Sequence, residues 1–152
     1  MSQPVCAIIG AGEGLGRALA AKFASQKFDI ALISRSEAGS AAAIEAAAAV
    51  TANVRFFSAD ATQPDTIESA LAKVADEMDG TDVLIYNARG EFAACEPLDM
   101  TYAALEDIYR VEVVGAFAAA KTVLPTMIKR SRGSIFFSSA TAAYRGSRTH
   151  PL

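Results

Sequence analysis

A cluster of glycines near the start of the chain has the spacing of a phosphate-binding turn. The cluster reads G-A-G-E-G-L-G, and its predicted cofactor contacts are Gly10, Gly12, Gly14, Leu15 and Gly16. A turn without side chains lets a pyrophosphate approach the backbone N–H groups, and the helix that follows adds the positive end of its dipole. The spacing fits G-x-x-x-G-x-G and not G-x-G-x-x-G, because Leu15 takes the last position of the second pattern. These residues predict dinucleotide binding, with a tight turn packed against a helix as the alternative.

A basic segment about 20 residues further on bears on the choice of cofactor. An NAD-binding chain needs an acidic residue there to hold the ribose 2′-hydroxyl. This chain instead has Ser34, Arg35 and Ser36, and no carboxylate occurs before Glu37. A guanidinium can bind a 2′-phosphate with two hydrogen bonds, so NADP(H) is favoured over NAD(H). Glu13 counts against this preference, and a solvated loop charge is the alternative interpretation of Arg35.

Short apolar runs separated by helical patterns indicate the elements that position these residues. Uninterrupted apolar runs are typical of strands buried on both faces, and apolar residues three or four apart are typical of helices. Strands are predicted at 5–9, 29–33, 54–59, 82–86 and 135–138, and helices at 15–27, 41–50, 64–78 and 100–130. Strands alternating with helices form parallel sheets with right-handed crossovers. We therefore predict one domain over residues 1–152, a doubly wound, Rossmann-like α/β fold with strand order 3-2-1-4-5.

Two of the predicted helices have an unusual composition. The segment 41–50 contains seven alanines, and we favour a helix over a low-complexity segment because Ile44 and Val50 add apolar positions. The longest helix, at 100–130, contains Gly115 and Pro125, which predict a kink or a local break. Its large apolar residues form one stripe, composed of Leu105, Ile108, Tyr109, Val113, Phe117, Leu124 and Ile128.

The composition excludes several classes of protein. A chain of 152 residues with 52% hydrophobic residues and a mean hydropathy of +0.25 has enough apolar surface for one sizeable core. Its net charge of -3 gives no indication of nucleic-acid or anionic-membrane binding. The apolar run that stops at Lys121 is shorter than the roughly 20 residues of a membrane span. Cys6, Cys95 and His150 are too few for a soft-metal site, and no secretory signal is evident. We expect a cytoplasmic protein without a metal.

Three further motifs follow predicted strands: Asp60-Ala61, Asn87-Ala88 and the segment G-S-I-F-F-S-S at 133–139. Together with the glycine loop, these motifs resemble the short-chain dehydrogenase/reductase family, in the same order from about residue 5 to residue 146. In that family the glycine loop holds the dinucleotide, the Asp contacts adenine and the Asn-Ala segment supports the nicotinamide half. The family's strand-five serine, which corresponds to Ser139, hydrogen-bonds the reacting carbonyl or alcohol oxygen.

The chain departs from the family pattern at several positions. Arg89 stands where the family usually has Gly, and Glu112 stands where a helix Asn assists the proton relay. Glu112 is either an acid/base group or a solvated helix charge. The family's Tyr-x-x-x-Lys pair, about a dozen residues beyond the serine, has no match before Leu152. Tyr144 is too close to be that tyrosine, so we interpret it as a loop aromatic and His150 as a tail residue.

The resemblance implies an NADP(H)-dependent oxidoreductase that transfers hydride between the nicotinamide and a small-molecule carbonyl or alcohol. The chain corresponds to the cofactor-binding portion and lacks a counterpart of the family's C-terminal part. A non-catalytic dinucleotide-binding or partner-binding remnant is the alternative. An open strand edge at 135–137 and the apolar stripe of the long helix lead us to expect a homo-oligomer, with no nucleic-acid or membrane partner.

Overall fold

The computed structural model describes residues 3–50, 53–91 and 94–145. Within these residues the strands are β1 (Val5–Ile9), β2 (Asp29–Ser34), β3 (Val54–Ser58), β4 (Val83–Tyr86) and β5 (Ser134–Phe137). The helices are α1 (Leu15–Ser25), α2 (Glu37–Ala48), α3 (Pro64–Met78), α4 (Tyr102–Tyr109), α5 (Gly115–Arg130) and α6 (Ala142–Arg145). A 3₁₀ turn (Pro97–Asp99) precedes α4, and a π-helical turn (Arg110–Val114) joins α4 to α5.

The strands form one parallel sheet in the order β3-β2-β1-β4-β5. In the register of the sheet, Ala7 of β1 lies beside Ala31 of β2 and Leu84 of β4. This arrangement confirms the predicted doubly wound α/β fold and its strand order. The central position of β1 explains its uninterrupted apolar sequence, since both of its faces are covered.

Successive residues of β1 point into two separate cores, one on each face of the sheet. Cys6 and Ile8 pack with residues of α1 and α2, whereas Val5, Ala7 and Ile9 pack with residues of α3 and α5. This alternation follows from the period of two residues in a strand. Cys6 has no exposed surface, and burial raises the pKa of its thiol to about 12.

Helices α1 and α2 contact the sheet through small residues. Their buried positions are Gly16, Ala20 and Ala24 in α1, and Ser40, Ala43 and Ala47 in α2. The large apolar residues Leu15 and Val50, which the sequence pattern assigned to the buried faces, are both more than half exposed. Helix α3, in contrast, buries large side chains, among them Ile67, Leu71 and Val74.

The second helix begins earlier than the alanine-rich segment indicated. Its first residue is Glu37, because the Ser36 side chain accepts a hydrogen bond from Gly39 N over 3.3 Å and caps the helix. The helix ends at Ala48, so the predicted apolar position Val50 lies beyond it. The boundaries predicted at 41–50 are therefore wrong by four residues at the start and two at the end.

The predicted break in the long helix occurs at one of its two candidate positions. The π-helical turn ends immediately before Gly115, whereas Pro125 lies inside the continuous helix α5. The whole stretch Tyr102–Arg130 is long and apolar enough to cross a membrane by length and composition alone. The prediction that the sequence contains no membrane span considers only the uninterrupted apolar run that stops at Lys121. In the fold, Ala119 and Val123 pack against the sheet, which is the packing of a helix that covers an α/β sheet.

Candidate functional site

A cavity of about 1150 Å³ lies at the carboxyl ends of the parallel strands. Its walls come from the segments after β1, β2, β3 and β4, at 10–12, 34–36, 59–62 and 87–91, together with α4 and the π-helical turn. Strands β2 and β3 lie on one side of β1 and β4 lies on the other, so the cavity sits where the strand order reverses. In open α/β sheets this crevice is the ligand-binding position.

Gly10 brings the loops after β1 and β4 into contact. Its φ of +87° is in the left-handed region, which favours glycine. A Cβ atom at this position would lie 2.6 Å from the carbonyl carbon of Asn87 and would also collide with the backbone nitrogen of Ala88. The side-chain Nδ2 of Asn87 donates to the Gly10 carbonyl oxygen over 2.9 Å. Gly10 and Asn87 therefore hold one wall of the cavity together.

The other glycines of the loop differ in what surrounds them. Gly16 is buried, and a Cβ atom there would lie 2.8 Å from the Cα of Ala11, so it serves close helix packing. A Cβ atom on Gly12 or Gly14 would meet no atom within 4 Å. Gly12 lines the cavity, whereas Gly14 and the exposed Leu15 do not. The glycine cluster thus combines a packed turn at Gly10 and Gly16 with uncrowded backbone at Gly12 and Gly14.

The segment after β2 lines the cavity with Ser34, Arg35 and Ser36. The Ser34 hydroxyl donates to the carbonyl oxygen of Ser36 over 3.0 Å, and the Ser36 hydroxyl accepts from Gly39 N. Arg35 is exposed at the mouth of the cavity. Glu37, the first acidic residue of the segment, is not among the lining residues. The segment therefore presents a cation and hydroxyl groups to the cavity.

Asp60 and Ala61 line the cavity after β3. The Asp60 Oδ1 accepts hydrogen bonds from both the backbone nitrogen and the hydroxyl of Thr62, each over 2.9 Å. The Asp60 backbone nitrogen donates to the hydroxyl of Thr66, also over 2.9 Å. These bonds fix the orientation of the carboxylate. Sequence reasoning missed Thr62, although an Asp followed two residues later by Thr is a recognisable turn pattern.

Tyr86 is hydrogen-bonded to the π-helical turn. Its hydroxyl donates to the carbonyl oxygen of Val111, and burial, with the nearby Glu112 carboxylate, raises the pKa of Tyr86 well above its usual range. A Cβ atom on Gly115 would collide with the same hydroxyl. Glu112 is exposed, and its Oε1 accepts from Gly90 N over 3.3 Å. The carboxylate thus contacts the loop that forms a wall of the cavity.

The comparison with known families agrees with this geometry. The family model of the short chain dehydrogenases matches residues 4–151. The chain belongs to the short-chain dehydrogenase family. The resemblance predicted from the glycine loop and the strand-end motifs is confirmed, although the matching motifs do not by themselves assign a role to each residue.

The relatives that the comparisons found are longer than this chain. It is 31% identical over 150 residues to a short-chain dehydrogenase/reductase of Armillaria gallica, covering 97% of this chain and 56% of the relative. Among solved structures, NAD⁺-bound xylitol dehydrogenase has a TM-score of 0.91 at 23% identity, covering 98% of this chain and 57% of that one. A metagenomic short-chain oxidoreductase in complex with NADP has a TM-score of 0.90 at 24% identity, covering 99% and 67%. These structures support the fold, and the chain spans about half the length of the curated relatives it matches.

The two residues predicted to be catalytic do not line the cavity. Ser139 follows β5 and is exposed, and neither Ser139 nor Glu112 is among the lining residues. Tyr144 is 91% exposed, and it lies in the short helix α6. The prediction that it lies in a loop is therefore wrong. His150 lies outside the described residues. Within residues 3–50, 53–91 and 94–145, no group of His, Cys, Asp and Glu is suited to a metal ion.

One wall of the cavity was missed by sequence reasoning. Ala104, Asp107 and Ile108 of α4 and Val111 of the π-helical turn also line the cavity. No local pattern distinguishes these residues from the rest of the long helix. They reach the cavity through tertiary contacts, such as the one between Ile108 and Gly90 of the loop after β4.

Proposed function

We propose that the cavity binds NADP(H) and that the chain is the cofactor-binding part of an oxidoreductase. The reaction is hydride transfer between the nicotinamide and a small-molecule carbonyl or alcohol. The observation that carries this proposal is the open backbone at Gly12, in a cavity where the strand order reverses. A pyrophosphate requires such a stretch of backbone without side chains, and short-chain dehydrogenases use nicotinamide cofactors.

The preference for NADP(H) over NAD(H) rests on the segment after β2. Arg35 lines the cavity where an NAD-binding chain needs a carboxylate. Its guanidinium suits a 2′-phosphate, and the Ser36 hydroxyl keeps a hydrogen to donate because it acts only as an acceptor toward Gly39 N. Glu13 opposes the preference by adding negative charge to the glycine loop. Solved relatives with NAD⁺ and with NADP both occur, so they leave the choice open.

The remaining roles are assigned from the family resemblance. Gly14 keeps the approach to the pyrophosphate open, Asp60 with Ala61 receives the adenine, and Asn87 with Ala88 supports the nicotinamide end. The bound nicotinamide supplies or accepts the hydride. The chain's own residues bind and orient the cofactor, and Ser139 holds the reacting oxygen of the substrate. Glu112 is our second candidate for a catalytic residue, as the group that assists proton transfer.

A dinucleotide-binding module without catalysis is the second candidate function. One observation favours it, because Ser139 and Glu112 lie outside a cavity whose cofactor-binding walls are well formed. Residues 1–152 taken alone contain no Tyr-x-x-x-Lys pair to assist proton transfer. Loss of general acid–base assistance costs roughly 10²–10⁴ in rate. We expect the chain to bind the dinucleotide with no more than trace turnover of any carbonyl substrate, and a rate of about 1 s⁻¹ or more would favour the enzyme.

Titration of the chain with NADPH and with NADH, followed by nicotinamide fluorescence, tests the proposal. NADPH should bind more tightly, and Arg35→Ala should weaken NADPH binding about tenfold or more, the effect of losing charged hydrogen bonds. NADH binding should change little. Lys73→Ala is the matched control, since it removes one positive charge from an exposed position of α3 away from the cavity. Equal affinities for the two cofactors in the unmutated chain would refute the preference.

We also propose that the chain forms a homo-oligomer and works in the cytoplasm without nucleic-acid or membrane partners. The apolar groups available for association are Phe136 and Phe137 of β5, each more than half exposed, and the side chains of Tyr109, Phe117 and Ile128 along the long helix. Open apolar edges and patches favour pairing with another chain. Light scattering at micromolar concentration measures the assembly, and a stable 15.9 kDa monomer would contradict it.

A further inference from the structure

Ser40 is a polar residue with no exposed surface, inside helix α2. Its hydroxyl oxygen lies 2.7 Å from the hydroxyl oxygen of Ser34, which lines the cavity. Alanine fills the neighbouring buried positions of the same helix, at Ala43 and Ala47. A buried hydroxyl costs free energy unless it is hydrogen-bonded, and the Ser34 hydroxyl is the partner that satisfies it.

The direction of this hydrogen bond follows from counting hydrogens. Each serine hydroxyl has one hydrogen to donate and two lone pairs that accept. The Ser34 oxygen also lies 3.0 Å from the carbonyl oxygen of Ser36, which can only accept. Ser34 therefore donates its hydrogen to Ser36, and Ser40 must donate to Ser34. The result is a chain of hydrogen bonds from Ser40 to Ser34 to Ser36.

The bond from Ser40 fixes the position of the Ser34 oxygen, but it leaves the hydrogen of the Ser34 hydroxyl free to change its acceptor. When a ligand brings acceptor oxygens, the hydrogen of the Ser34 hydroxyl can turn from the Ser36 carbonyl toward the ligand. The bond from Ser40 stays in place, and a hydroxyl that already accepts a hydrogen bond is a stronger donor. A ligand hydroxyl that donates to Ser34 would, in contrast, have to use the second lone pair of the Ser34 oxygen. That lone pair is a weaker acceptor because the oxygen already accepts a hydrogen bond from Ser40.

We propose that Ser40 is a positioning residue that favours a 2′-phosphate over a 2′-hydroxyl on the adenosine ribose by holding Ser34 as a hydrogen-bond donor. This inference rests on the proposed binding of NADP(H) in the cavity. A 2′-phosphate presents only acceptor oxygens to Ser34, whereas a 2′-hydroxyl can donate to it. Ser40 acts from inside the helix, since it is buried and is not itself among the cavity-lining residues.

The test compares the dissociation constants of NADPH and NADH for the full chain and its Ser40→Ala variant by calorimetry. We expect NADPH to bind about fivefold more weakly to the variant, the effect of one hydrogen bond, and NADH to bind within about twofold of the parent. Ser69→Ala is the matched control. It makes the same change in helix α3, where the hydroxyl bonds only to the carbonyl oxygen of Asp65, and it should leave both constants unchanged.

A double-mutant cycle with Ser34→Ala distinguishes positioning from a general structural effect. If Ser40 acts through Ser34, Ser40→Ala has no further effect on NADPH binding once Ser34 is alanine. An equal loss of affinity for both cofactors, or a loss that persists in the Ser34→Ala background, would overturn the role of Ser40. Failure of the unmutated chain to bind either dinucleotide would instead overturn the proposed function on which this inference rests. Thermal melting of each variant confirms that it is folded.

Discussion

Replacing Gly10 with alanine tests whether the close packing of the loops after β1 and β4 requires a glycine at this position. The new Cβ atom would lie 2.6 Å from the carbonyl carbon of Asn87 and 2.7 Å from the Cα of Ala88. The three nearest atoms all belong to the backbone, so no side-chain rotation can relieve these contacts. The variant must either separate the loops after β1 and β4 or distort the turn.

The cost has two parts that can be estimated from the structure. An alanine at a φ of +87° occupies the left-handed region, which costs about 1–2 kcal/mol. Forcing an extra methyl group into a packed site costs about 1–3 kcal/mol more. The free energy of unfolding should therefore fall by about 2–5 kcal/mol. For a chain of this size the melting temperature should then fall by about 4–20 °C.

Thermal and urea unfolding, followed by circular dichroism, measure this loss. Gly12→Ala is the matched control, because its Cβ atom would meet nothing within 4 Å and its φ is not in the left-handed region. It should change the free energy of unfolding by no more than about 0.5 kcal/mol. It should nevertheless weaken dinucleotide binding, since it adds a side chain where the pyrophosphate would approach.

Two results would refute the reasoning about these glycines. If Gly10→Ala melts at the same temperature as the parent, the loops after β1 and β4 are not in the close contact described. If Gly12→Ala loses as much stability as Gly10→Ala, crowding does not distinguish the two positions. Retained dinucleotide binding by a folded Gly10→Ala variant would bear on neither point, because the estimate concerns stability alone.

Three other predictions concern single residues. Gly14→Val should leave the chain folded but abolish dinucleotide binding, and a variant that binds as tightly as the parent would show that the loop is only a turn. Tyr86→Phe should lower the free energy of unfolding by about 1–3 kcal/mol in urea titrations, because the carbonyl of Val111 loses its buried partner; an unchanged value would contradict this. Cys95 should react with a thiol reagent in the native state and Cys6 only after unfolding, because Cys6 is buried with its pKa raised from 9.0 to about 12. The same shift should lower stability as pH rises from about 9 toward 12, since only the unfolded thiol ionises there, and the fall should be smaller in Cys6→Ala.

The strand positions could be predicted because their signal is local. Uninterrupted apolar runs in β1 and β2 reflect burial on both faces, and the glycine loop after β1 follows directly from the sequence. Asp60 and Asn87 could be placed at the same edge of the sheet because each directly follows a predicted strand. In a parallel sheet the carboxyl ends of the strands meet at that edge, so residues distant in sequence line the same cavity.

Other features depend on contacts that no local pattern contains. The position of the break in the long helix is explained by the Tyr86 hydroxyl, which lies more than 20 residues earlier in the chain. The early start of α2 depends on one capping bond from Ser36. The buried face of a helix is also predicted wrongly from its large apolar residues when that face consists of glycine and alanine, as in α1, where Leu15 is exposed.

The two functions proposed for the chain make different demands on the cavity. The Asp60 carboxylate is already held by Thr62, and the Ser34 hydroxyl is already held by Ser40, so these groups lose little freedom when a ligand binds. Among the described residues no comparable bond holds Ser139, which is exposed and outside the cavity. Preorganisation of Ser34 and Asp60, the groups that we propose bind the adenosine, favours affinity, whereas turnover requires the reacting oxygen to be placed to within a fraction of an ångström. We therefore expect binding and catalysis to be separable in this chain, so affinity for the dinucleotide and the rate of turnover are measured separately.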